Sequence, residues 1–177
     1  YTTMGELCVE TGINPQSVTN YRRALSLDSA LTRVSFTSGN VDYLRESFIS
    51  YPDNVMAVRF TASQKDAQHL HITYTPNPLS EGTFHTDGKS SLTFDGRLDN
   101  NGMQYVVRIQ VIAKGGKVKA EERQICVESA KEVVILLTAD TDYKPNYDPD
   151  FNDPKAYVGV DPNHTTTAWM KGASMYS

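Results

Sequence analysis

The chain has 177 residues, 39% of them apolar, and a net charge of −4. That length and composition can close one hydrophobic core without disulfides or metal, which excludes stapled mini-proteins and disordered chains. The charge is local, because six Asp and two Lys between residues 140 and 161 account for all of it. No basic surface is left to release counterions, so a nucleic-acid partner is not expected. No run approaches the ~18 apolar residues of a membrane span, and the start lacks the charged-then-apolar form of a leader, so the sequence reads as soluble, without a membrane partner.

In chain order, Tyr21, Arg23, Leu25 and Leu27 alternate with their neighbours, as do Val34 and Phe36, and both runs predict strands. Over residues 55–62 the inward set is Met56, Val58 and Phe60, with Arg59 outward. Leu70, Ile72 and Tyr74 face away from His69, His71 and Thr73. From Met103, the series Tyr105, Val107, Ile109 and Val111 opposes Gln104, Arg108 and Gln110. Residues 133–137 are apolar throughout, which suits a strand covered on both faces. Asn101-Gly102 and Gly115-Gly116 predict hairpin turns; Asp87-Gly88, Asp95-Gly96 and Ser38-Gly39-Asn40 are weaker turn signals. About ten strands joined by such turns, without intervening helices, predict an all-β antiparallel sandwich.

The sandwich is expected over residues 1–139. Residues 140–162, with Pro145, Pro149, Pro154 and Pro162, cannot continue a central strand and predict an irregular acidic loop. Residues 163–177 then start a helix, with Asn163 as its cap and Trp169, Ala173 and Tyr176 recurring along one face. Cys8 and Cys126 each stand between apolar neighbours, which predicts buried thiols; a bond between them is the alternative.

Several groups invite a chemical reading. His69 and His71 share a strand face and can meet one metal with His85 or His164, although an exposed His pair with no third ligand in fixed register is more often bland. Asp148, Asp150 and Asn152 begin a calcium-loop pattern that fails where Asp153 replaces the required Gly and Gly159 the bidentate Glu. Glycoside hydrolysis needs two carboxyl groups flanking a bond. Glu46, between Leu44 and Phe48 on its strand face, and the pair Asp140 and Asp142 are candidates, but Arg22, Arg23, Arg45 and Arg59 offer Glu46 an ion pair instead. Tyr143, Tyr147, Phe151 and Tyr157 can stack on sugar faces or fold back onto the sheet. No nucleophile elbow, phosphate-binding loop or dinucleotide fingerprint occurs.

An ordered series of segments then resembles a known family. Met4-Gly5-Glu6-Leu7, residues 21–28 (YRRALSLD), residues 45–55 (RESFISYPDNV) with Val58-Arg59, residues 136–143 (LLTADTDY) and residues 157–162 (YVGVDP) leading into a helix look like the N-terminal β domain of glycoside hydrolase family 95, the α-L-fucosidases and their relatives. The resemblance implies a supersandwich of two large antiparallel sheets, followed by a helical linker, an (α/α) barrel and a small β domain. It implies inverting hydrolysis of terminal α-linked L-fucose by barrel residues, an exported enzyme, periplasmic or secreted, and a domain whose first strands precede this chain. No motif here matches the catalytic one, so no catalytic, cofactor-binding or metal-ligating residue is assigned. The chain alone is expected to be inactive and to pack on the barrel of the same polypeptide, which acts on a glycan. Trp169 and Tyr176 are expected to bury against that barrel. The alternative is a free-standing carbohydrate-binding or adhesion sandwich.

Overall fold

Alternating side chains become two antiparallel sheets stacked face to face. The computed structural model describes residues 3–147, 152, 153 and 155–175. Among them are twelve strands: β1 (Gly5–Glu10), β2 (Val18–Ser26), β3 (Leu31–Ser38), β4 (Val41–Ser50), β5 (Val55–Ala62), β6 (Gln68–Pro76), β7 (Ser80–Thr86), β8 (Ser91–Leu98), β9 (Gln104–Lys114), β10 (Lys117–Glu121), β11 (Gln124–Ala130) and β12 (Glu132–Thr141). One α-helix, α1 (Pro162–Ser174), follows, and a single 3-10 turn at Pro15–Ser17 precedes β2. The large sheet has the order β2-β3-β4-β5-β12-β9-β8-β7 and the small one β1-β6-β11-β10. The expected all-β sandwich with a short C-terminal helix is what forms.

The core lies between the sheets. Ile72 and Leu70 of β6 and Ile125 and Val127 of β11 meet Ile109 of β9 and Ile135 of β12, all at 3% exposure or less. Each such side chain contributes roughly 1.5–3 kcal/mol by leaving water. At one end Tyr74, Phe84, Phe94 and Tyr105 pack ring to ring, with centroids 4.8–6.4 Å apart. Gly82 and Gly96, paired across β7 and β8, make room for them. A Cβ on Gly96 would lie 2.5 Å from the Phe94 ring and 2.7 Å from that of Tyr105. Asp95-Gly96, a weak turn signal in the sequence, is therefore mid-strand: a glycine yields to rings as readily as to turns.

Gly115-Gly116 also departs from expectation. β9 belongs to the large sheet and β10 to the small one, so the dipeptide carries the chain between layers and closes no hairpin. Both residues take positive φ, 78° and 70°. A Cβ on Gly116 would meet the Glu128 carbonyl oxygen at 2.2 Å, where β11 bulges between Val127 and Ala130. Asn101-Gly102 does turn β8 into β9, with the Gly102 N–H donating to the Leu98 carbonyl at 2.9 Å.

The cysteines are not buried. Cys8 is exposed, Cys126 half-buried, and both are free. Their apolar neighbours Leu7, Val9, Ile125 and Val127 turn to the core, so period-two alternation sends the thiols to the outer face of the small sheet. Cys8 stands opposite Thr73 and Cys126 opposite His71, so they do not face each other.

The acidic segment has a fixed base. Tyr143 bridges Val158, the Lys144 N–H donates to the Tyr157 carbonyl at 2.8 Å, and the Gly159 N–H donates to the Asp142 carbonyl at 2.6 Å. The chain thus returns to the end of β12 before entering α1. Asp161 caps that helix, accepting the Asn163 N–H at 2.9 Å, with Pro162 in the first turn. Asn163, the expected cap, has another task.

Candidate functional site

The outer face of the large sheet carries α1, and a single arginine anchors it. On β9, Arg108 points away from the core. Its Nε donates to Thr166 Oγ1 at 3.1 Å, its Nη1 to Thr93 Oγ1 at 3.1 Å, and its Nη2 to Asn163 Oδ1 at 2.9 Å. Asn163 Nδ2 in turn donates to Asp95 Oδ2 at 2.9 Å. Burial pulls the guanidinium below its usual pKa, while Asp95 and Asp161 oppose that shift. Because guanidinium has five donors in a fixed fork, this clamp sets the position and direction of the helix N-terminus. Further along, Met170, Trp169 and Ala173 pack on Val55, Ala57, Ile112, Val134 and Leu136, and Ser174 Oγ donates to Gln110 Oε1 at 2.8 Å.

Trp169 therefore packs on this chain's own sheet, contrary to the expectation that it waits for a barrel. Its spacing with Met170 and Ala173 matches the apolar outer side chains of β12 and β9. Tyr176 lies outside the described residues.

Beside the helix the same face continues as an apolar trough of about 380 Å3. Leu31, Phe48, Ala57 and Leu136 form its floor, one from each of four adjacent strands, and Val55 and Ala173 close one side. Phe48 is 47% exposed. The opposite rim is ionic. Glu46 accepts from Arg33 Nε at 2.8 Å and Arg59 Nη1 at 3.4 Å, Arg59 Nη2 donates to Glu132 at 2.6 Å, and Lys114 lies 3.8 Å from Glu132. The hydrogen bond from Arg59 holds the Glu132 carboxyl below its usual pKa against the opposing effect of burial, and Lys114 adds to it.

The carboxylates considered for catalysis are thus engaged structurally. Glu46 belongs to this ion-pair ladder. Asp142, only 8% exposed, accepts the Gln104 N–H at 3.0 Å. Asp140 accepts from Thr165 Oγ1 on α1. The histidines are separated too. On the small sheet, His71 Nε2 is 2.6 Å from Gln124 Oε1 and Nδ1 is 3.5 Å from Glu10, while His69 Nε2 is 3.1 Å from the Asp66 carbonyl. His85 is on β7 of the large sheet and His164 on α1, so neither completes a metal site, and no group of three metal-ligating side chains occurs among the described residues. Asp148, Asp150 and Phe151 lie outside the described residues; Asn152 and Asp153 are exposed.

Tyr143 and Tyr147 do not fold back on the sheet, being 56% and 94% exposed. Tyr143 runs nearly parallel to Tyr157, at 6° with centroids 6.1 Å apart. Arg108 and the trough were missed in the sequence. The alternation that turned Arg108 outward was visible, but its partners lie 55 and 58 residues further on.

Comparison with known proteins places these features. The family model described as "Glycosyl hydrolase family 65, N-terminal domain" matches residues 1–146. The chain is 25% identical to "Alpha-L-fucosidase 2" of Arabidopsis thaliana, covering 81% of this chain and 20% of that protein. It is 28% identical to "Probable alpha-fucosidase A" of Aspergillus niger, covering 81% of this chain and 18% of that protein. Among solved structures, the fold is similar to "Putative kojibiose phosphorylase from human microbiome", with a TM-score of 0.61 and 9% identity, over 97% of this chain and 25% of that one. The chain thus spans about a fifth of the length of the curated relatives it matches.

Proposed function

This chain belongs to the family of glycosyl hydrolase family 65 N-terminal domains, the same kind of domain as the family 95 one its sequence resembles, and from that premise we propose that it is the non-catalytic β-sandwich of a fucosidase-like glycoside hydrolase, supporting a catalytic barrel in the same polypeptide. The observation that carries this reading is the trough beside α1. An open row of Leu31, Phe48 and Ala57, running up to Leu136 where the helix covers it and edged by ion pairs on the other side, has the apolar centre and polar rim of an interface between domains. Arg108 fixes α1 along its border, so a domain following the helix would be delivered onto the trough in one orientation.

The carboxylates support a role without chemistry. A glycosidase pair needs one carboxyl protonated and one ionised across an open gap. Glu46 sits between two arginines, and Asp140 and Asp142 hold a helix threonine and a strand N–H.

Hydrogen exchange tests the docking role. In a protein that carries this chain joined to its barrel, amides of β3, β4 and β5 should exchange more slowly than in the 177-residue chain alone, while those of β6 and β11 stay unchanged. Equal exchange of β3–β5 in the two proteins removes the trough as the joint. The chain alone should not release nitrophenol from a nitrophenyl α-L-fucoside, and turnover abolished by Glu46→Gln would overturn the non-catalytic reading.

A further inference from the structure

A second surface, sharing no residue with the trough, has the make-up of a ligand site. It is a cleft of about 490 Å3 lined by Asn101, Gly102, Met103, Asp142, Tyr143, Tyr157 and Val158. Both walls are fixed. The turn between β8 and β9 is held by the Asn101 side-chain oxygen accepting the Met103 N–H at 3.0 Å and by Arg97 Nε donating to the Gly102 carbonyl at 3.2 Å. The other wall is the ribbon pinned by the Tyr143–Val158 bridge and the bond from the Lys144 N–H to the Tyr157 carbonyl.

The rings do not shield one another. Face-on contact brings carbon atoms to roughly 3.5–4.0 Å. Planes parallel within 6° with centroids 6.1 Å apart are therefore offset, and part of each ring face stays open. At their edge lie the Asp142 carboxylate, 8% exposed with one oxygen bonded to the Gln104 N–H and the other left to accept a hydroxyl, and the Asn101 amide, whose oxygen accepts the Met103 N–H and whose NH2 can donate. An open aromatic plane with planar polar groups at its edge matches a pyranose, whose C–H face is apolar and whose hydroxyls lie around the rim. The charge refines the class. The Asp142 carboxylate that lines the cleft disfavours anionic sugars.

We propose that the cleft between the β8–β9 turn and the Tyr143–Tyr157 ribbon is a non-catalytic binding site for a neutral pyranoside residue of an oligosaccharide. Tyr143 supplies the stacking plane, Tyr157 extends it, and Asp142 and Asn101 hold hydroxyl groups. The site holds a glycan without cleaving it, and it does so whether or not a barrel docks on the trough.

Calorimetry and saturation-transfer NMR on the 177-residue chain test this with a panel of neutral oligosaccharides carrying fucosyl, galactosyl and glucosyl ends, and with oligogalacturonate. At least one neutral oligosaccharide should bind saturably and more tightly than oligogalacturonate. Tyr143→Ala should weaken binding roughly tenfold, while Tyr143→Phe, which keeps the ring, and Tyr147→Ala, outside the cleft, should stay within about twofold. Asp142→Asn retains an acceptor for the Gln104 N–H and should weaken binding several-fold, which serves as the test if Tyr143→Ala lowers the melting temperature. Absence of saturable binding across the neutral panel overturns the proposal. So does binding that neither Tyr143→Ala nor Asp142→Asn reduces, or a Tyr147→Ala loss equal to that of Tyr143→Ala.

Discussion

The centre and one edge of the large sheet both carry apolar side chains and meet opposite fates. β12 carries Val133, Ile135 and Leu136 at 0%, 0% and 4% exposure, with the small sheet on one face and α1 on the other. β2 carries Tyr21 and Leu25 at 58% and 63%, and Leu27 just beyond it is at 83%. β2 alternates, whereas residues 133–137 of β12 are apolar throughout. Burial is decided by place in the strand order: β12 is central, while β2 forms the rim of a wing, β2–β4, that runs past the small sheet. Only part of the wing is covered; Arg45 lies over the rings of Phe36 and Phe60 at 5.2 and 5.6 Å, and its Nη2 reaches Thr11 Oγ1 at 3.5 Å. Alternation thus marks a strand but not its depth.

Truncating one aliphatic residue at the centre and one at the edge tests that contrast most sharply. Ile135→Ala should lower the unfolding free energy by about 3–4 kcal/mol, through lost transfer energy and the cavity left behind. Leu25→Ala should cost under about 0.5 kcal/mol. Urea unfolding followed by circular dichroism measures both, and equal costs would break the comparison.

A smaller effect separates the helix-covered centre from the wing. Arg108→Ala removes three side-chain hydrogen bonds from a charged donor and should cost about 2 kcal/mol. Amide exchange should accelerate in α1 and leave the β2–β3 hairpin unchanged, because local stability follows local contacts.

The smallest lies at the junction. Arg59 lowers the Glu132 pKa in the folded state, so this ion pair favours folding above the usual carboxylate pKa and loses its contribution as pH falls through the lowered one. Glu132→Gln should cost under about 1 kcal/mol at neutral pH, given solvent screening. Its stability should then decline less steeply on acidification, as seen in melting temperatures measured between neutral pH and pH 3.

How far the sequence reaches follows from the same geometry. Alternation at Met56, Val58 and Phe60 and at Leu70, Ile72 and Tyr74 identifies strands because period two is local. Pairing is not local: β12 lies between β5 and β9, and nothing within residues 132–141 names either neighbour. Glycine is ambiguous in the same way, since Gly102 turns a hairpin, Gly116 crosses between sheets and Gly96 clears space for rings. The candidate carboxylates could be located on strands, but their partners could not. Glu46 lies opposite Arg33 and Arg59 only through the registers of β3–β4 and β4–β5.

The central place of β12 also bears on the order of assembly. β2–β5 can zip together as successive hairpins, and β7–β9 as another set, yet the two sets become one sheet only when β12 pairs with β5 on one side and β9 on the other. On the ribosome both inner edges stay open until that strand has emerged. Among the described residues it is the last strand and the keystone of the sheet, so completion of the sheet coincides with emergence of the segment that leads into α1.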